Sequence, residues 1–143
     1  MKTLLFTGLI AAALMAGCTT RPAPSGNAAL MKFFDRADTD GDGKVSRREF
    51  TDYMIAEAFT YYDKNGSGFI SLEEWVKGGG TAETFRAMGG GSDRKLSLAE
   101  VQNSKLARDQ MALPFDGADT SRSGYLTREE FIAFRQAAAP YVR

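Results

Sequence analysis

The segment from Asp38 to Glu49, DTDGDGKVSRRE, constrains this chain more than any other feature. Counted from Asp38 as position 1, it has Asp at positions 1, 3 and 5, Gly at position 6 and Glu at position 12. Oxygen atoms at this spacing can surround a hard divalent cation, which needs about six to eight oxygen ligands. The glycine serves a sharp turn whose backbone conformation other residues adopt reluctantly. The segment therefore predicts an oxygen-ligated metal site.

The same frame recurs three more times. Aligned on the Glu at position 12, the other segments begin at Asp63, Gly89 and Asp119. Each copy has a Phe four residues before position 1, an aliphatic residue at position 8 and a bulky apolar residue at position 13. The Phe residues are Phe34, Phe59, Phe85 and Phe115; position 8 holds Val45, Ile70, Leu96 and Leu126; position 13 holds Phe50, Trp75, Val101 and Phe131. The pattern predicts an incoming and an outgoing helix that share a core, with position 8 in a short strand that joins two loops.

Four such segments resemble the EF-hand superfamily of calcium-binding proteins, of which calmodulin is the familiar member. The resemblance covers about residues 28–138 and implies an all-α fold of four helix–loop–helix hands, with short strand pairings between the loops. The hands are expected around residues 38–49, 63–74, 89–100 and 119–130, and the third is degenerate. The resemblance also implies Ca²⁺ as the cofactor, at two to three sites.

Loops 1, 2 and 4 carry the complete pattern, and the resemblance implies their ligands. These are Asp38, Asp40, Asp42, the Lys44 carbonyl and Glu49 in loop 1; Asp63, Asn65, Ser67, the Phe69 carbonyl and Glu74 in loop 2; and Asp119, Ser121, Ser123, the Tyr125 carbonyl and Glu130 in loop 4. Loop 1 offers four carboxylates and the other two loops offer two each. We therefore expect loop 1 to attract calcium most strongly.

Loop 3 departs from the pattern. Gly89 and Gly91 stand where ligands belong, and Arg94 replaces the turn glycine. Only Asp93 and Glu100 remain in register. We interpret loop 3 as a vestigial hand that is kept for pairing with another loop.

Part of the repeat has an explanation without metal. Positions 9 and 12 read Ser-x-x-Glu in loops 1 to 3 and Thr-x-x-Glu in loop 4. This is the capping-box pattern, which any helix N-terminus can carry. Capping does not explain the polar residues at positions 1, 3 and 5 followed by glycine. Only that first half distinguishes a calcium site from a well-capped helix.

The spacing of the loops leaves two topologies open. The segment from Phe50 to Tyr62 contains neither Gly nor Pro, and its apolar residues recur at helical spacing. As one helix it would be about 20 Å long and would hold loops 1 and 2 apart, unable to pair. A kink near Ala56 would instead let these loops pair, and we favour this version because a lone loop leaves its strand unpaired.

Three local signals divide the rest of the domain. The run Gly78-Gly79-Gly80 predicts a break after hand 2 and a hinge between two hand pairs. Thr81 can cap the next helix, which runs to about Met88. Pro114 suits the first turn of a short helix that enters loop 4.

The N-terminus predicts export and a lipid anchor. A charged start is followed by an apolar run of residues 4–15, which is typical of a secretory signal segment. Small residues before Cys18 resemble the lipobox of bacterial lipoproteins, and this resemblance implies cleavage and lipidation of Cys18. We therefore assign residues 1–17 to the signal peptide, 18–27 to a flexible tether and 28–143 to the EF-hand domain. The implied location is the bacterial cell envelope, facing the periplasm. Thr19 replaces the Asp that favours the inner membrane, so the outer membrane is the better expectation.

Composition excludes several functions. The 18 basic and 18 acidic residues balance, so the chain shows no basic patch for nucleic acid. It contains no histidine, the usual general base and zinc ligand, and we expect no enzymatic activity. The expected function is that of a calcium sensor or calcium-organised adaptor, held at the membrane through Cys18. The alternative is a structural lipoprotein whose fold calcium only stabilises. The sequence does not identify a protein partner.

Overall fold

The computed structural model describes residues 26–91 and 93–138, with side chains from Ala28 onward. Most of these residues are helical, which confirms the predicted fold class. In chain order the elements are α1 (Gly26–Ala37), β1 (Val45–Ser46), α2 (Arg47–Tyr62), β2 (Phe69–Ser71), α3 (Leu72–Lys77), α4 (Ala82–Ala87), β3 (Lys95–Ser97), α5 (Leu98–Asn103), α6 (Lys105–Ala118), β4 (Tyr125–Leu126) and α7 (Arg128–Ala138). The predicted signal peptide and Cys18 lie outside the described residues, and α1 begins two residues inside the segment assigned to the tether. In the described ranges, every helix is too short or too polar to cross a membrane.

The loops pair in two antiparallel sheets, but their order differs from the favoured prediction. β1 pairs with β4, with Val45 opposite Leu126, and β2 pairs with β3, with Ile70 opposite Leu96. All four of these position-8 side chains are buried. The prediction that position 8 joins two loops is confirmed. The pairing of loop 1 with loop 2 is wrong, because hand 1 pairs with hand 4 and hand 2 pairs with hand 3.

The continuity of α2 causes this pairing. The helix runs for 16 residues from its N-cap at Ser46 to its C-cap at Asp63, so the kink predicted near Ala56 is absent. Neither Gly nor Pro interrupts it, and a helix of this length is about 24 Å long. Loops 1 and 2 therefore lie at opposite ends of α2, where their strands cannot reach each other.

A second helical connector returns from loop 3 to loop 4 beside α2. Ser104 separates α5 from α6 with an extended backbone, and its hydroxyl accepts the N–H of Ala107. Pro114 lies inside α6 and does not begin a helix, so that prediction is wrong. The cap at Ser104 starts the helix earlier, and the proline only removes one helical hydrogen bond. Arg108 of α6 bonds Asp52 of α2 at 2.6 Å and ties the connectors together.

Each hand pair encloses its own core, and α2 contributes to both. The core of hands 1 and 4 contains Phe34, Ala37, Val45, Phe50, Tyr53, Phe115, Ala118, Leu126 and Phe131. The core of hands 2 and 3 contains Ile55, Phe59, Ile70, Phe85, Met88, Leu96, Val101 and Ala107. The repeated apolar positions of the sequence thus form the cores as predicted, although Trp75 is only partly buried.

The glycine run at residues 78–80 connects α3 to α4 within the pair of hands 2 and 3. The predicted hinge between two hand pairs is therefore wrong. A Cβ at Gly78 would collide with the ring of Tyr62, and one at Gly80 would collide with the ring of Trp75. The glycines let these aromatic rings pack against the backbone. The threonine that follows the run caps α4, as predicted.

The core of hands 1 and 4 can be tested with two matched substitutions. Leu126 is fully buried in this core, so Leu126→Ala should lower the free energy of unfolding by about 2–5 kcal/mol. Leu113 on α6 is 73% exposed, so Leu113→Ala should change it by no more than about 0.5 kcal/mol. Urea unfolding in calcium-free buffer measures both values. Equal losses for the two variants would contradict the burial described for Leu126.

Candidate metal centres

Helix ends place the first and last predicted ligands of loops 1, 2 and 4. Asp63 and Asp119 are the C-caps of α2 and α6, and the N–H of Asp38 donates to Phe34 in the last turn of α1. The Glu at position 12 lies in the first turn of the outgoing helix. There, it and the Ser or Thr at position 9 exchange hydrogen bonds in all four loops. The capping-box prediction is confirmed, and it holds the position-12 carboxylate against position 9 of the same loop.

Loop 1 brings its three aspartates together. The carboxylate of Asp38 accepts the N–H groups of Gly41, Asp42 and Gly43 at 2.8, 3.1 and 3.0 Å. One carboxylate oxygen from each of Asp38, Asp40 and Asp42 lies within 4.8 Å of the others. Oxygens bound at about 2.3–2.6 Å on opposite sides of one calcium ion are at most about 5 Å apart. The spacing of these three oxygens is therefore compatible with their binding one calcium ion.

Glu49 closes loop 1 from the far side. Its Oε2 accepts the N–H and hydroxyl of Ser46 at 2.9 and 2.8 Å, and its Oε1 accepts the N–H and hydroxyl of Thr39, both at 2.9 Å. Burial raises the pKa of Glu49, but these hydrogen bonds outweigh it and lower the pKa to about 2 from the usual 4.5. The ionised Glu49 carboxylate therefore contributes fully to the stability of the folded protein above about pH 4.5, and this contribution is lost as the pH falls towards 2.

Loop 2 has the same frame with two fewer carboxylates. Asp63 accepts the N–H groups of Ser67 and Gly68, both at 2.9 Å, and Asn65 Oδ1 accepts the N–H of Ser67 at 2.8 Å. The Ser67 hydroxyl lies 2.9 Å from the carbonyl of Phe69, which brings the ligands predicted at positions 5 and 7 together. Hydrogen bonds from Ser71 lower the pKa of Glu74, so its carboxylate stays ionised at neutral pH.

Loop 4 repeats this arrangement. Asp119 accepts the N–H groups of Ser123 and Gly124 at 3.0 and 2.8 Å. The Ser123 hydroxyl lies 2.7 Å from the carbonyl of Tyr125. Backbone hydrogen bonds from Thr127 and Ser121 lower the pKa of Glu130 to about 2. The ligand set predicted for loop 4 is thus assembled in the geometry seen in loop 2.

The residue at position 2 was missed by the sequence reasoning. Thr39 in loop 1 and Thr120 in loop 4 both donate a hydroxyl to the Glu at position 12, at 2.9 and 3.0 Å. Loops 2 and 3 have Lys64 and Gly90 at this position and lack the hydroxyl. The threonine at position 2 of both loops was a signal in the sequence that loops 1 and 4 orient the Glu at position 12 in the same way.

Loop 3 lacks the position-1 aspartate that organises the other loops. No carboxylate stands at position 1, and the N–H of Arg94 donates to the carbonyl of Gly91 at 3.3 Å. Arg94 itself has φ +54°, the left-handed conformation that glycine adopts at position 6 of the other loops. The arginine therefore keeps the turn at a conformational cost. That loop 3 binds no calcium stays a prediction.

Two substitutions test whether the turn glycine of loop 1 is required for its backbone conformation. A Cβ at Gly43 or at Gly117 would meet nothing within 4 Å, but only Gly43 has a positive φ, at +81°. Gly43→Ala should lower the free energy of unfolding by about 1–2 kcal/mol because of the left-handed backbone. Gly117→Ala, in helix α6, should raise it by about 0.5–1 kcal/mol. Urea unfolding in chelator measures both, and equal destabilisation would contradict the backbone argument.

Two plant proteins similar to this chain are named as probable calcium-binding proteins, and a third protein is similar over a short segment. Probable calcium-binding protein CML34 of Arabidopsis thaliana is 28% identical over 107 residues, which cover 73% of this chain and 66% of that protein. Probable calcium-binding protein CML17 of Oryza sativa subsp. japonica is 25% identical over 117 residues, covering 74% and 66%. A 58-residue segment is 36% identical to Microtubule-actin cross-linking factor 1 of Mus musculus, and covers 33% of this chain and 2% of that protein. The chain thus spans just under two thirds of the length of its plant relatives. Among solved structures, none matches it.

Two family models cover most of the described residues. The model of an EF-hand domain pair matches residues 52–136, and that of an EF hand domain matches residues 29–56. The first match alone spans more than half of the chain and contains loops 2, 3 and 4. The second contains loop 1, whose three clustered aspartates fit a calcium ion. The chain therefore belongs to the EF-hand family of calcium-binding proteins.

Proposed function

We propose that this calcium-binding protein is a calcium sensor or calcium-organised adaptor of a bacterial cell envelope. The continuity of α2 carries the proposal. The helix contains Glu49, the last ligand of loop 1, in its first turn, and its C-cap is Asp63, the first ligand of loop 2. Its buried residues belong to both cores. A change in helix position at either loop is therefore passed to both hand pairs.

The binding residues in this proposal are those of loops 1, 2 and 4, with one calcium ion in each. Bound calcium would supply the positive charge that offsets repulsion among carboxylates such as Asp38, Asp40 and Asp42. In loops 1, 2 and 4 the position-1 residue directly follows the incoming helix, and the position-12 Glu lies in the first turn of the outgoing helix. Ligation by both residues fixes the angle between the two helices. A partner protein would recognise the surface that this helix angle determines.

Binding, and not catalysis, is the proposed activity. The sequence contains no histidine, and its one cysteine is Cys18, outside the domain. The carboxylates with lowered pKa values, Glu49, Glu74 and Glu130, are all position-12 ligands. A carboxylate that stays ionised serves metal binding better than proton transfer near neutral pH.

The location in the proposal is supported by the N-terminal sequence. Residues 4–15 form a mainly apolar run, and the small residues Ala16 and Gly17 precede Cys18. Lipidation at Cys18 would leave a short tether before α1. The protein would then face the periplasm, and the outer membrane is the expected location of its lipid anchor.

One observation favours a second candidate, in which calcium only stabilises the fold. A sensor of the calmodulin type exposes a methionine-rich groove. Here Met88 is buried in the core of hands 2 and 3, and Met54 and Met111 pack against the cores. Methionines held in this way favour a scaffold whose cores stay closed.

Calcium titration of the chain from Thr19 onward, which contains both cores, tests the binding sites. Calorimetry should give three sites, with dissociation constants of about 10⁻⁵ to 10⁻³ M for loops 2 and 4. Glu74→Gln should remove one site and the calcium-induced change in Trp75 fluorescence. Glu73→Gln is the matched control, because the Glu73 carboxylate pairs with Lys77 and lies outside the ligand frame. A fluorescence change that survives in Glu74→Gln would contradict the loop 2 ligands.

The same titration separates the two candidate functions. A sensor predicts increased binding of an apolar-surface dye when calcium is added. A scaffold predicts a higher melting temperature without new dye binding. The second result would replace the sensor with the structural candidate.

The anchor is tested by Cys18→Ser. Without the thiol, no lipid can be attached, so radiolabelled fatty acid should no longer be incorporated. The serine hydroxyl preserves size, so the leader should still direct export. A variant that keeps the label would contradict the lipoprotein assignment.

A further inference from the structure

Two arginines cross between hands 1 and 4 in the same way. Arg47 and Arg128 both occupy position 10, the first residue of the outgoing helix. The guanidinium of Arg47 lies 4.5 Å from the ring centre of Phe115 and pairs with Asp116. That of Arg128 lies 4.8 Å from the ring centre of Phe34, and its Nη2 is 3.8 Å from Asp35. Each arginine thus contacts a Phe-Asp pair at the end of the other hand's incoming helix.

Aromatic contacts in the core follow the same crossed pattern. Phe34, before loop 1, meets Phe131, after loop 4, with ring centres 5.7 Å apart. Phe115, before loop 4, meets Phe50, after loop 1, at 5.5 Å. Both pairs are edge-to-face, the arrangement that aromatic rings prefer. Incoming and outgoing helices of the two hands are therefore coupled crosswise, inside the core and at its surface.

The arginine contacts are particular to this pair. Position 10 is Leu72 in loop 2 and Leu98 in loop 3, and both leucines pack against the core of hands 2 and 3. The residue three before position 1 is Asp in hands 1 and 4, but Thr60 and Arg86 in hands 2 and 3. The crossed contact thus appears only where both loops have a complete set of ligands.

We propose that Arg47 and Arg128 are positioning residues that couple the calcium sites of loops 1 and 4. The inference rests on the proposed function, in which both loops bind calcium. Each arginine lies two residues before the position-12 Glu of its own loop. Its partner Asp lies three residues before the position-1 Asp of the other loop. The helix angle set at one site is therefore transmitted to the helix that carries the first ligand of the other.

The size of the effect follows from the exposure of the contacts. The side chains of Arg47 and Arg128 are 49% and 41% exposed, so their ion pairs alone contribute little. A partly exposed cation–π contact contributes a factor of about 2 to 5. We expect loop 1 occupancy to raise the calcium affinity of loop 4, within the usual range of about 5- to 150-fold. Loss of both arginines should reduce this factor by roughly 4-fold or more.

The test measures the coupling factor in the full chain, kept in detergent, with loop 2 silenced by Glu74→Gln. Calorimetry gives the affinity of loop 4 with loop 1 intact and with Glu49→Gln, and the ratio is the coupling factor. Arg47→Gln/Arg128→Gln should lower this ratio. Arg47→Lys/Arg128→Lys keeps both charges and should retain much of it. Arg48→Gln is the matched control, since Arg48 contacts Asp52 within the same helix at 3.8 Å.

The outcomes separate this inference from the proposed function. Two calcium sites in the Glu74→Gln protein, with a ratio that falls only when Arg47 and Arg128 are replaced, would support it. Two sites with an unchanged ratio would overturn the arginine coupling and leave the binding function intact. A missing loop 4 site would overturn both. Circular dichroism in chelator checks that each variant is folded. If the double variant is unfolded, Arg47→Gln and Arg128→Gln are measured separately, and each should lower the coupling factor about 2-fold or more.

Discussion

The unbroken helix α2 is the constraint on which the rest of the structure depends. Its 16 residues separate loops 1 and 2, so each must find its strand partner elsewhere. Loop 1 pairs with loop 4 and loop 2 with loop 3. The first and last hands of the domain consequently share one core, and the middle two share another. The return connector must then run beside α2, and the contact between Arg108 and Asp52 holds the two together.

The loop turns and helix caps were largely predictable because most of the hydrogen bonds that build them are local. The contacts of Asp38 with Gly41 and Gly43 span three to five residues, and the cap between Ser46 and Glu49 spans three. Such contacts follow from residue spacing and do not depend on how the chain folds elsewhere. The same holds for the buried residues at position 8, whose need for a strand partner was clear although the partner was not.

The pairing order was not predictable from the same signals, because it depends on whether one short segment bends. The residues from Phe50 to Tyr62 are compatible with a straight helix and with two short ones. We gave more weight to the unpaired strand than to the absence of Gly and Pro. A further signal was present: Arg at position 10 and Asp three residues before position 1 occur in hands 1 and 4 alone. When two hands pair, the residues of one hand that contact the other hand are of the same type as those at the equivalent positions of its partner.

The two hand pairs differ in how much their shape depends on metal. In the pair of hands 2 and 3, loop 3 takes its turn with Arg94 in a left-handed conformation and with backbone hydrogen bonds. Its strand therefore supports loop 2 without needing an ion. In the pair of hands 1 and 4, both loops have a complete set of predicted ligands, and in loop 1 three carboxylates lie close enough together to repel one another unless a cation offsets their charge. From the proposed sites it follows that calcium acts mainly on hands 1 and 4. This pair contains α1, so in the proposed function the pair with two calcium sites is also the pair next to the tether in the sequence.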